Sequence, residues 1–233
     1  MRVQPDGWEL PAFEPGQFAT LGLPDPAGGK PLKRVYSIAS APGEPSLEFY
    51  LQLVKEGAFT SVLWPHHPGD RVHLAPAIHG RFTLAGVPED HDLVLIGTGT
   101  GIAPFLSMVR HYAGRRRWRR CAIVHGARSI DELGYREELH ALSRDDPSIA
   151  FVPVVSREPE GSGWPGLRGR VQALLETDAF PARAGMPLDP ERCHVFLCGN
   201  PAMIDDLDAR LAARGFRHDR PEAPGTMHYE KWW

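Results

Sequence analysis

The stretch LVLIGTGTGIAPF, residues 93–105, joins an apolar run to a loop of three glycines and two threonines, and then to a helical pattern. An apolar run followed by such a turn is typical of a buried parallel strand and its crossover helix. Ligands bind beyond the carboxyl ends of these strands, where glycines let a phosphate or a ring approach the backbone. The same residues also fit an ordinary tight turn, since the loop matches neither GxGxxG nor a P-loop.

Downstream of this stretch, the strand-then-helix pattern recurs to the end of the chain. The apolar runs CAIVHGA (121–127), FVPVVS (151–156) and HVFLCG (194–199) each precede a stretch with helical spacing. Continuous apolar runs alternating with helices predict a parallel sheet in an α/β domain.

Upstream, up to about Gly86, the pattern is different. Short apolar or alternating runs, separated by turns rich in proline and glycine, indicate an all-β barrel or sandwich. These runs are QFATLGL, RVYSIAS, LEFYLQLV, RVHLAPA and RFTL, with a helical turn around residues 59–64. We therefore expect two domains, residues 1–87 and 88–233, with the boundary near residues 87–91.

Composition excludes several classes of protein. The 233 residues are 42% hydrophobic and 24% charged, as in globular domains, and the net charge of −3 gives no general affinity for nucleic acid or an anionic membrane. No apolar run approaches the roughly 20 residues that span a bilayer, and the start MRVQPDGWEL lacks the apolar core of a signal peptide, so we expect a cytoplasmic protein. Three cysteines are too few for a four-thiolate cluster, and the histidines lack metal-ligand spacing, so redox chemistry would need an organic cofactor.

Arginines follow two of the predicted strands and the glycine-rich loop 157–169. Arg128 closes VHGAR, Ser156 and Arg157 end VVSR, Arg168 lies near the end of the loop, and Arg170 directly follows it. Guanidinium groups bind a phosphate monoester bidentately, and in a dinucleotide site that group is the 2′-phosphate of NADP(H). Exposed arginines are also common in a chain of this charge content.

The segment RVYSIAS places Arg34, Tyr36 and Ser37 on one strand. A flavin needs a cation for its diphosphate, a ring to stack on and a hydrogen-bonding group at its polar edge. A half-buried strand with a tyrosine and no ligand would have the same sequence pattern.

Three further segments allow more than one interpretation. The turn Cys198-Gly199-Asn200 before Pro201 fits a second nucleotide-binding turn or a buried spacer. The end MHYEKWW must dock its tryptophans on protein or on a planar ligand, because exposed indoles are costly. The run RRRWRR (115–120) is a solvated helix end or a docking patch for an acidic protein, and does not indicate nucleic-acid binding.

Taken in order, RVYS, EFYLQLVKEGAFTS, GTGTGIAPF, VHGAR, VVSRE, LCGNPAMI and the aromatic end resemble the bacterial ferredoxin/flavodoxin–NADP⁺ reductases from about residue 12 onward. The resemblance implies an antiparallel FAD-binding β-barrel over residues 1–87 and an NADP-binding α/β domain over 88–233. It also implies that this chain starts inside or after the first strand of the family's barrel.

The resemblance implies three groups of site residues. FAD would be bound by Arg34, Val35, Tyr36, Ser37, Tyr50, Leu51, Gln52, Leu53, Ala58, Phe59, Thr60, Thr100, Trp232 and Trp233. NADP(H) would be bound by Arg128, Ser156, Arg157, Arg170, Cys198, Gly199 and Asn200. Ser37, Cys198 and Glu230 would be catalytic, with Glu230 as a proton relay.

The implied function is hydride transfer between NADPH C4 and FAD N5, followed by single-electron transfer to ferredoxin or flavodoxin. The expected partner is thus an acidic electron carrier, with no nucleic acid and no membrane, and the expected state is a monomer. Two alternatives stay open: an NADH-linked reductase component of an oxygenase, which acidic residues in place of the arginines would favour, and a non-catalytic flavin electron-transfer subunit.

Overall fold

A computed structural model describes residues 1–115, 117–175 and 179–231. The chain forms two compact units. The first unit comprises Met1–Leu84 and Ala103–His111, and the second comprises Ala85–Ile102 and Tyr112–Trp233.

The first unit is antiparallel β structure. Its strands and helical turn are β1 (Arg2–Val3), β2 (Phe18–Leu23), β3 (Leu32–Ser37), β4 (Leu47–Glu48), α1 (Thr60–Leu63) and β5 (His73–Leu74). The order β3-β2-β5 forms one sheet, and β1 pairs with β4 in another. Apolar side chains of β2, β4 and α1 pack together around the fully buried Phe49.

Two of the runs predicted as strands are shorter than expected, and one is not a strand. In LEFYLQLV only Leu47–Glu48 forms a strand, with Phe49 in an isolated bridge to Ile38, and in RVHLAPA only His73–Leu74 forms a strand. The run RFTL forms no strand, although Phe82, Thr83 and Leu84 are buried. Glycines with positive φ, Gly80 and Gly86, flank this run, so its apolar character reflects burial in a loop between two turns rather than sheet pairing.

The helix α2 (Ala103–Tyr112) follows a 3₁₀ turn at Gly99–Ile102, and its residues 103–111 belong to the first unit. The Ser107 hydroxyl donates to the carbonyl of Ser40 at 2.7 Å. Arg110 donates to the carbonyl of Ala39 and to the carboxylate of Glu48, both at 2.8 Å. These bonds fix the backbone just after β3, the strand that carries Arg34 and Tyr36.

The second unit is a parallel six-stranded α/β domain. Its strands are β6 (Asp92–Thr98), β7 (Cys121–Ala127), β8 (Ile149–Val155), β9 (Leu167–Arg168), β10 (Cys193–Gly199) and β11 (Met227–Lys231), in the order β11-β10-β6-β7-β8-β9. Its helices are α3 (Arg136–Asp145), α4 (Val171–Leu174), α5 (Ala179–Ala184) and α6 (Pro201–Ala213), with 3₁₀ turns at Gly99–Ile102 and Ile130–Glu132. Residues of β6 and β10 are almost wholly buried, as the continuous apolar runs predict.

Two elements differ from the prediction for this unit. Helix α3 starts at Arg136 rather than at the DEL segment, because Tyr135 has φ 60° and lies in the left-handed region, which breaks the helix. The C-terminal residues Met227–Lys231 form a strand parallel to β10, which docks this part of the chain on the sheet. Trp232 and Trp233 lie outside the described residues.

Within the ranges that the structure describes, no helix is long and apolar enough to cross a bilayer.

Candidate functional site

The carboxyl ends of β6 and β10 meet backbone to backbone. A Cβ added to Gly101 would lie 2.3 Å from the carbonyl oxygen of Cys198, and one added to Gly199 would lie 2.4 Å from Oγ1 of Thr98. The same Thr98 Oγ1 accepts the backbone N–H of Asn200 at 3.0 Å. We call residues 97–101 and 198–200 the glycine junction. Its buried glycines Gly101 and Gly199 are required by the close approach of two turns, because a side chain at either position would meet atoms of the other turn.

His125 supports the glycine junction from the neighbouring strand β7. It lies opposite Gly97 in the sheet, has no exposed surface, and its Nε2 lies 3.0 Å from the carbonyl oxygen of Gly99. Burial lowers the pKa of its imidazole to about 4, so at neutral pH Nε2 carries a proton and donates it. Sequence reasoning missed His125; the available signal was one polar residue within the apolar run CAIVHGA.

The predicted phosphate-binding residues follow β7, β8 and β9, which lie side by side. The backbone N–H of Arg157 donates to the carbonyl of Arg128 at 2.7 Å, and that of Ser156 to Ala127 at 3.0 Å. The N–H of Gly169, the residue before Arg170, donates to Val155 at 2.8 Å. We call Arg128, Ser156, Arg157 and Arg170 the arginine edge; all four are exposed.

The side chain of Arg168, also expected near the phosphate, makes hydrogen bonds within the glycine-rich loop 157–169. Its Nη1 donates to the carbonyl of Glu158 at 2.6 Å, and its Nη2 to Oγ of Ser162 at 3.2 Å. The indole N–H of Trp164 donates to the carbonyl of Leu167 at 3.1 Å. These bonds close the loop on itself ahead of Arg170.

Cys198 and Glu230 lie opposite each other on β10 and β11. Cys198 is 2% exposed, and burial, with Glu230 nearby, raises the pKa of its thiol. The thiol is therefore neutral at physiological pH and is not a thiolate nucleophile. Asn200 caps α6, since its Oδ1 accepts the N–H groups of Ala202 at 2.9 Å and Met203 at 3.3 Å.

In the first unit, β3 presents Arg34, Val35, Tyr36 and Ser37. The Arg34 side chain is exposed, and its Nη1 donates to the carbonyl of Lys33 at 2.7 Å. The ring of Tyr36 is half-buried and lies 5.7 Å from that of Phe59, and burial raises the pKa of its hydroxyl. Ser37 ends the strand, paired with Phe18.

The loop from Tyr50 to Thr60 carries the remaining flavin-site predictions. Tyr50, Leu51 and Leu53 are partly buried, whereas Gln52 and Ala58 are exposed. The hydroxyl of Thr60, predicted to contact the FAD phosphate, donates to the carbonyl of Val54 and accepts its N–H, both at 3.1 Å. Thr60 thus shapes this loop through its side chain.

Two further predictions from the sequence concern Thr100 and the basic run. Thr100 is partly exposed within the 3₁₀ turn of the glycine junction. In the basic run, Trp118 is buried, Arg119 pairs with Asp92, and Arg120 donates to the carbonyl of Gly185 at 2.5 Å. These residues stabilise the second unit, which leaves less of the run available as a docking patch.

Comparison with known proteins agrees with this arrangement. Residues 95–209 match the oxidoreductase NAD-binding domain family. The chain is 36% identical to ferredoxin–NADP reductase A of Sorangium cellulosum over 228 residues, which cover 94% of this chain and 80% of the relative. It is 34% identical to the flavodoxin/ferredoxin–NADP reductase of Escherichia coli, covering 95% of this chain and 88% of the relative.

A solved structure is also similar over nearly the whole chain. It is a ferredoxin NADP⁺ reductase from Neisseria gonorrhoeae with bound FAD and NADP, 30% identical, with a TM-score of 0.85. The similarity covers 98% of this chain and 90% of that one. The chain belongs to the ferredoxin–NADP reductase family.

Proposed function

We propose that this protein is an FAD-dependent oxidoreductase that exchanges electrons between NADP(H) and ferredoxin or flavodoxin. The observation that carries the proposal is the direct hydrogen bond between the backbones of Arg157 and Arg128, which sets two exposed arginines side by side at the carboxyl edge of a parallel sheet. Such a pair suits the dianionic 2′-phosphate that distinguishes NADP(H) from NAD(H). The relatives' names supply the carrier proteins.

The proposal assigns one cofactor to each part of the chain. Residues 1–87 would form the FAD-binding antiparallel barrel, and residues 88–233 the NADP(H)-binding domain. When bound, FAD supplies the redox chemistry: it takes a hydride at N5 from nicotinamide C4 and releases electrons one at a time.

The residues present fit both the 2′-phosphate end and the nicotinamide end of NADP(H). Arg128, Arg157 and Arg170 would hold the 2′-phosphate, with the Ser156 hydroxyl beside them. The nicotinamide end would lie against the glycine junction, at the carboxyl ends of β6 and β10. Thr100, Cys198, Gly199 and Asn200 would line that end.

The residues of the first unit also fit FAD. Arg34 has an exposed guanidinium for the diphosphate, and the half-buried Tyr36 offers a ring for the isoalloxazine. Ser37 would contact the polar edge of that ring. Residues 50–53, with Val35 and the turn of Ala58, Phe59 and Thr60, would line the adenosine and diphosphate; the Thr60 hydroxyl orders that turn.

Three residues would take part in the reaction. Ser37 would hydrogen-bond the flavin edge, and Glu230 would hold and deliver a proton from its position on β11. Cys198, as a buried neutral thiol, would limit how closely the nicotinamide approaches without donating electrons itself. Trp232 and Trp233, outside the described residues, would cover the flavin and the adenine.

We further propose that the protein acts in the cytoplasm as a monomer, with an acidic carrier as its partner and no role for nucleic acid or a membrane.

The test is the steady-state rate of ferricyanide reduction by FAD-loaded protein with NADPH and with NADH. We expect kcat/KM to be about 100-fold higher for NADPH, because charge-assisted hydrogen bonds to the 2′-phosphate contribute about 1.5–3 kcal/mol each. Equal or reversed preference would support the NADH-linked oxygenase component instead. Bound FAD without oxidation of either nucleotide would support a non-catalytic flavin subunit. Cytochrome c reduction that depends on added ferredoxin or flavodoxin would then identify the carrier.

A further inference from the structure

His125 is a buried polar residue with no role in the proposed function as set out above. Its strand β7 is the third of the six, paired with β6 on one side and β8 on the other, and His125 faces Gly97 and Pro153 in the two registers. Its side chain has no exposed surface. A polar ring in this position costs free energy unless it makes a hydrogen bond that matters to the fold or to a ligand.

The hydrogen bond that His125 makes is directed at the glycine junction. Nε2 lies 3.0 Å from the carbonyl oxygen of Gly99, the first residue of the 3₁₀ turn Gly99–Ile102. Gly99 has φ 55°, a left-handed conformation that side-chain-bearing residues rarely adopt. Because the carbonyl of Gly99 and the N–H of Thr100 share one planar peptide, a bond to the first fixes the direction of the second.

The direction of this hydrogen bond is constant at physiological pH. Burial lowers the pKa of His125 to about 4, so the ring is neutral, and the nitrogen that faces a carbonyl must be the one with the proton. Nδ1 is then an acceptor; it is buried and has no hydrogen-bond partner among the described residues. The ring therefore has one polar contact to maintain, and that contact is the Gly99 carbonyl.

Close packing keeps β7 and its histidine in place beneath the turn. A Cβ added to Gly126, the next residue, would lie 2.6 Å from Cγ1 of Val171 and 3.0 Å from Cγ2 of Thr98. This glycine lets β7 approach β6 and α4 closely. The pairing of the strands thus fixes the distance from the β7 backbone to the Gly99 carbonyl oxygen. The imidazole of His125 is long enough to span that distance.

We infer that His125 is a positioning residue for the nicotinamide end of NADP(H), holding the Gly99–Thr100 peptide in the orientation that the glycine junction needs. It acts through that peptide and does not touch the ligand. The inference rests on the proposed function, since the nicotinamide end is assigned there.

A positioning role and a purely structural role of His125 predict different effects on ligand binding. His125 lies on β7 and Arg128 directly follows that strand, three residues away, but the first is bonded to the turn after β6 and the second belongs to the arginine edge. Loss of the Gly99 bond should weaken binding of the whole dinucleotide. It should leave binding of 2′-AMP, which carries only the adenosine and 2′-phosphate part, unchanged.

The experiment compares His125→Leu, His125→Gln and His125→Asn with the wild type, all loaded with FAD. Binding of NADP⁺ is followed by the change in the flavin absorbance spectrum, binding of 2′-AMP by calorimetry, and turnover of NADPH by KM and kcat. For H125L we expect the Kd of NADP⁺ and the KM of NADPH to rise about tenfold, with the Kd of 2′-AMP within twofold of the wild type. H125Q, whose amide donates at a reach similar to Nε2, should recover most of the loss.

Equal weakening of NADP⁺ and 2′-AMP, or wild-type NADP⁺ binding in H125L, would overturn the inference. If H125L fails to fold, the comparison of H125Q with H125N decides: the shorter Asn amide should bind NADP⁺ more weakly than Gln, and equal binding would contradict the role. His67→Gln, at an exposed histidine of the first unit, is the matched control and should change neither constant. A wild-type protein that oxidises no NADPH would overturn the proposed function itself, whatever the variants do.

Discussion

One carboxylate oxygen of Glu132 accepts two hydrogen bonds from Arg128, from the side-chain Nε–H at 3.1 Å and from the backbone N–H at 3.2 Å. Both side chains are partly exposed, 53% for Arg128 and 35% for Glu132, so the pair contributes little to folding stability. Its effect is local: it holds the guanidinium at the arginine edge, and it places a negative charge beside the proposed phosphate site.

Replacing Glu132 by Gln should therefore tighten binding of 2′-AMP. The amide oxygen keeps an acceptor for Arg128, while the repulsion between a carboxylate and a phosphate dianion is removed. Two unit charges about 6 Å apart in water interact by about 0.7 kcal/mol, so removing the repulsion on a dianion changes the binding free energy by about 1.4 kcal/mol, or about tenfold in Kd. Calorimetric titration of FAD-loaded protein at low salt measures it.

The Glu132→Ala variant serves as the comparison, because it removes the acceptor together with the charge. Its Kd for 2′-AMP should lie above that of E132Q. A Kd in E132Q higher than in the wild type would mean that the carboxylate is needed to orient the arginine, contrary to this prediction.

Replacing Arg157 by Gln should raise the KM for NADPH about 10- to 100-fold and change the KM for NADH by less than about threefold. The variant loses a charge-assisted hydrogen bond to the 2′-phosphate, which NADH lacks. Steady-state kinetics with both nucleotides measure the split. Arg144→Gln, at an exposed arginine in the last turn of α3, is the matched control. A parallel loss with NADPH and NADH would place Arg157 outside the phosphate site.

Replacing Gly101 by Ala should destabilise the second unit and impair NADP⁺ binding. The new methyl would lie 2.3 Å from the carbonyl oxygen of Cys198, a backbone atom that cannot move without shifting β10. Overpacking of this kind costs about 1–3 kcal/mol in the free energy of unfolding, which urea denaturation measures. Gly22→Ala, whose methyl would lie 3.3 Å from a side-chain carbon of His73, should have a smaller effect. Equal stability of the two variants would show that the strand ends can separate.

Two histidines, the buried His194 and the partly buried His228, link β10 to β11. Nδ1 of His194 lies 3.0 Å from Nε2 of His228, and the His228 ring stacks on Phe196 with centroids 4.2 Å apart. The pKa of each histidine is lowered to about 4, mainly by burial, with a smaller contribution from His91 for His194 and from His194 for His228. Asp219, which faces both rings, opposes these effects.

Stability should therefore fall as the pH is lowered from about 7 to about 4. Because the folded-state pKa lies below the unfolded value of 6.5, the unfolded chain binds protons first, and the stabilisation present above pH 6.5 is lost on the way to pH 4. One such histidine accounts for about 3 kcal/mol. The free energy of unfolding of His228→Gln should depend less steeply on pH over this range than that of the wild type. An unchanged slope would mean that His228 titrates normally in the folded state.

The sequence predicted the second unit better than the first. Every parallel strand from β6 to β10 except the two-residue β9 coincides with a continuous apolar run, because a strand buried on both faces must be apolar throughout. Strands of the first unit are short and partly exposed, so the apolar pattern could not separate β2 and β3 from RFTL, which is buried without pairing.

For the arginine edge and the glycine junction, the sequence pattern predicted which residues follow the strands but not the hydrogen bonds that their side chains make. The strand-end positions of Arg128 and Arg157 follow from the parallel sheet, whereas the capture of Arg168 by the backbone of Glu158 depends on how a 13-residue loop folds back on itself. The bond of His125 to Gly99 could not be found from the sequence, since it joins strand β7 to a turn 26 positions away in the chain.

The glycine junction has a practical consequence for engineering this protein. Its buried glycines are held by close backbone contacts between two turns, whereas the arginine edge consists of exposed side chains that follow other strands. On the proposed function, substitutions after β7 and β8 would change nucleotide preference and leave the proposed nicotinamide end at the glycine junction unchanged. A library confined to positions 128, 132, 156, 157 and 170 would test the choice of cofactor without altering residues 97–101 and 198–200.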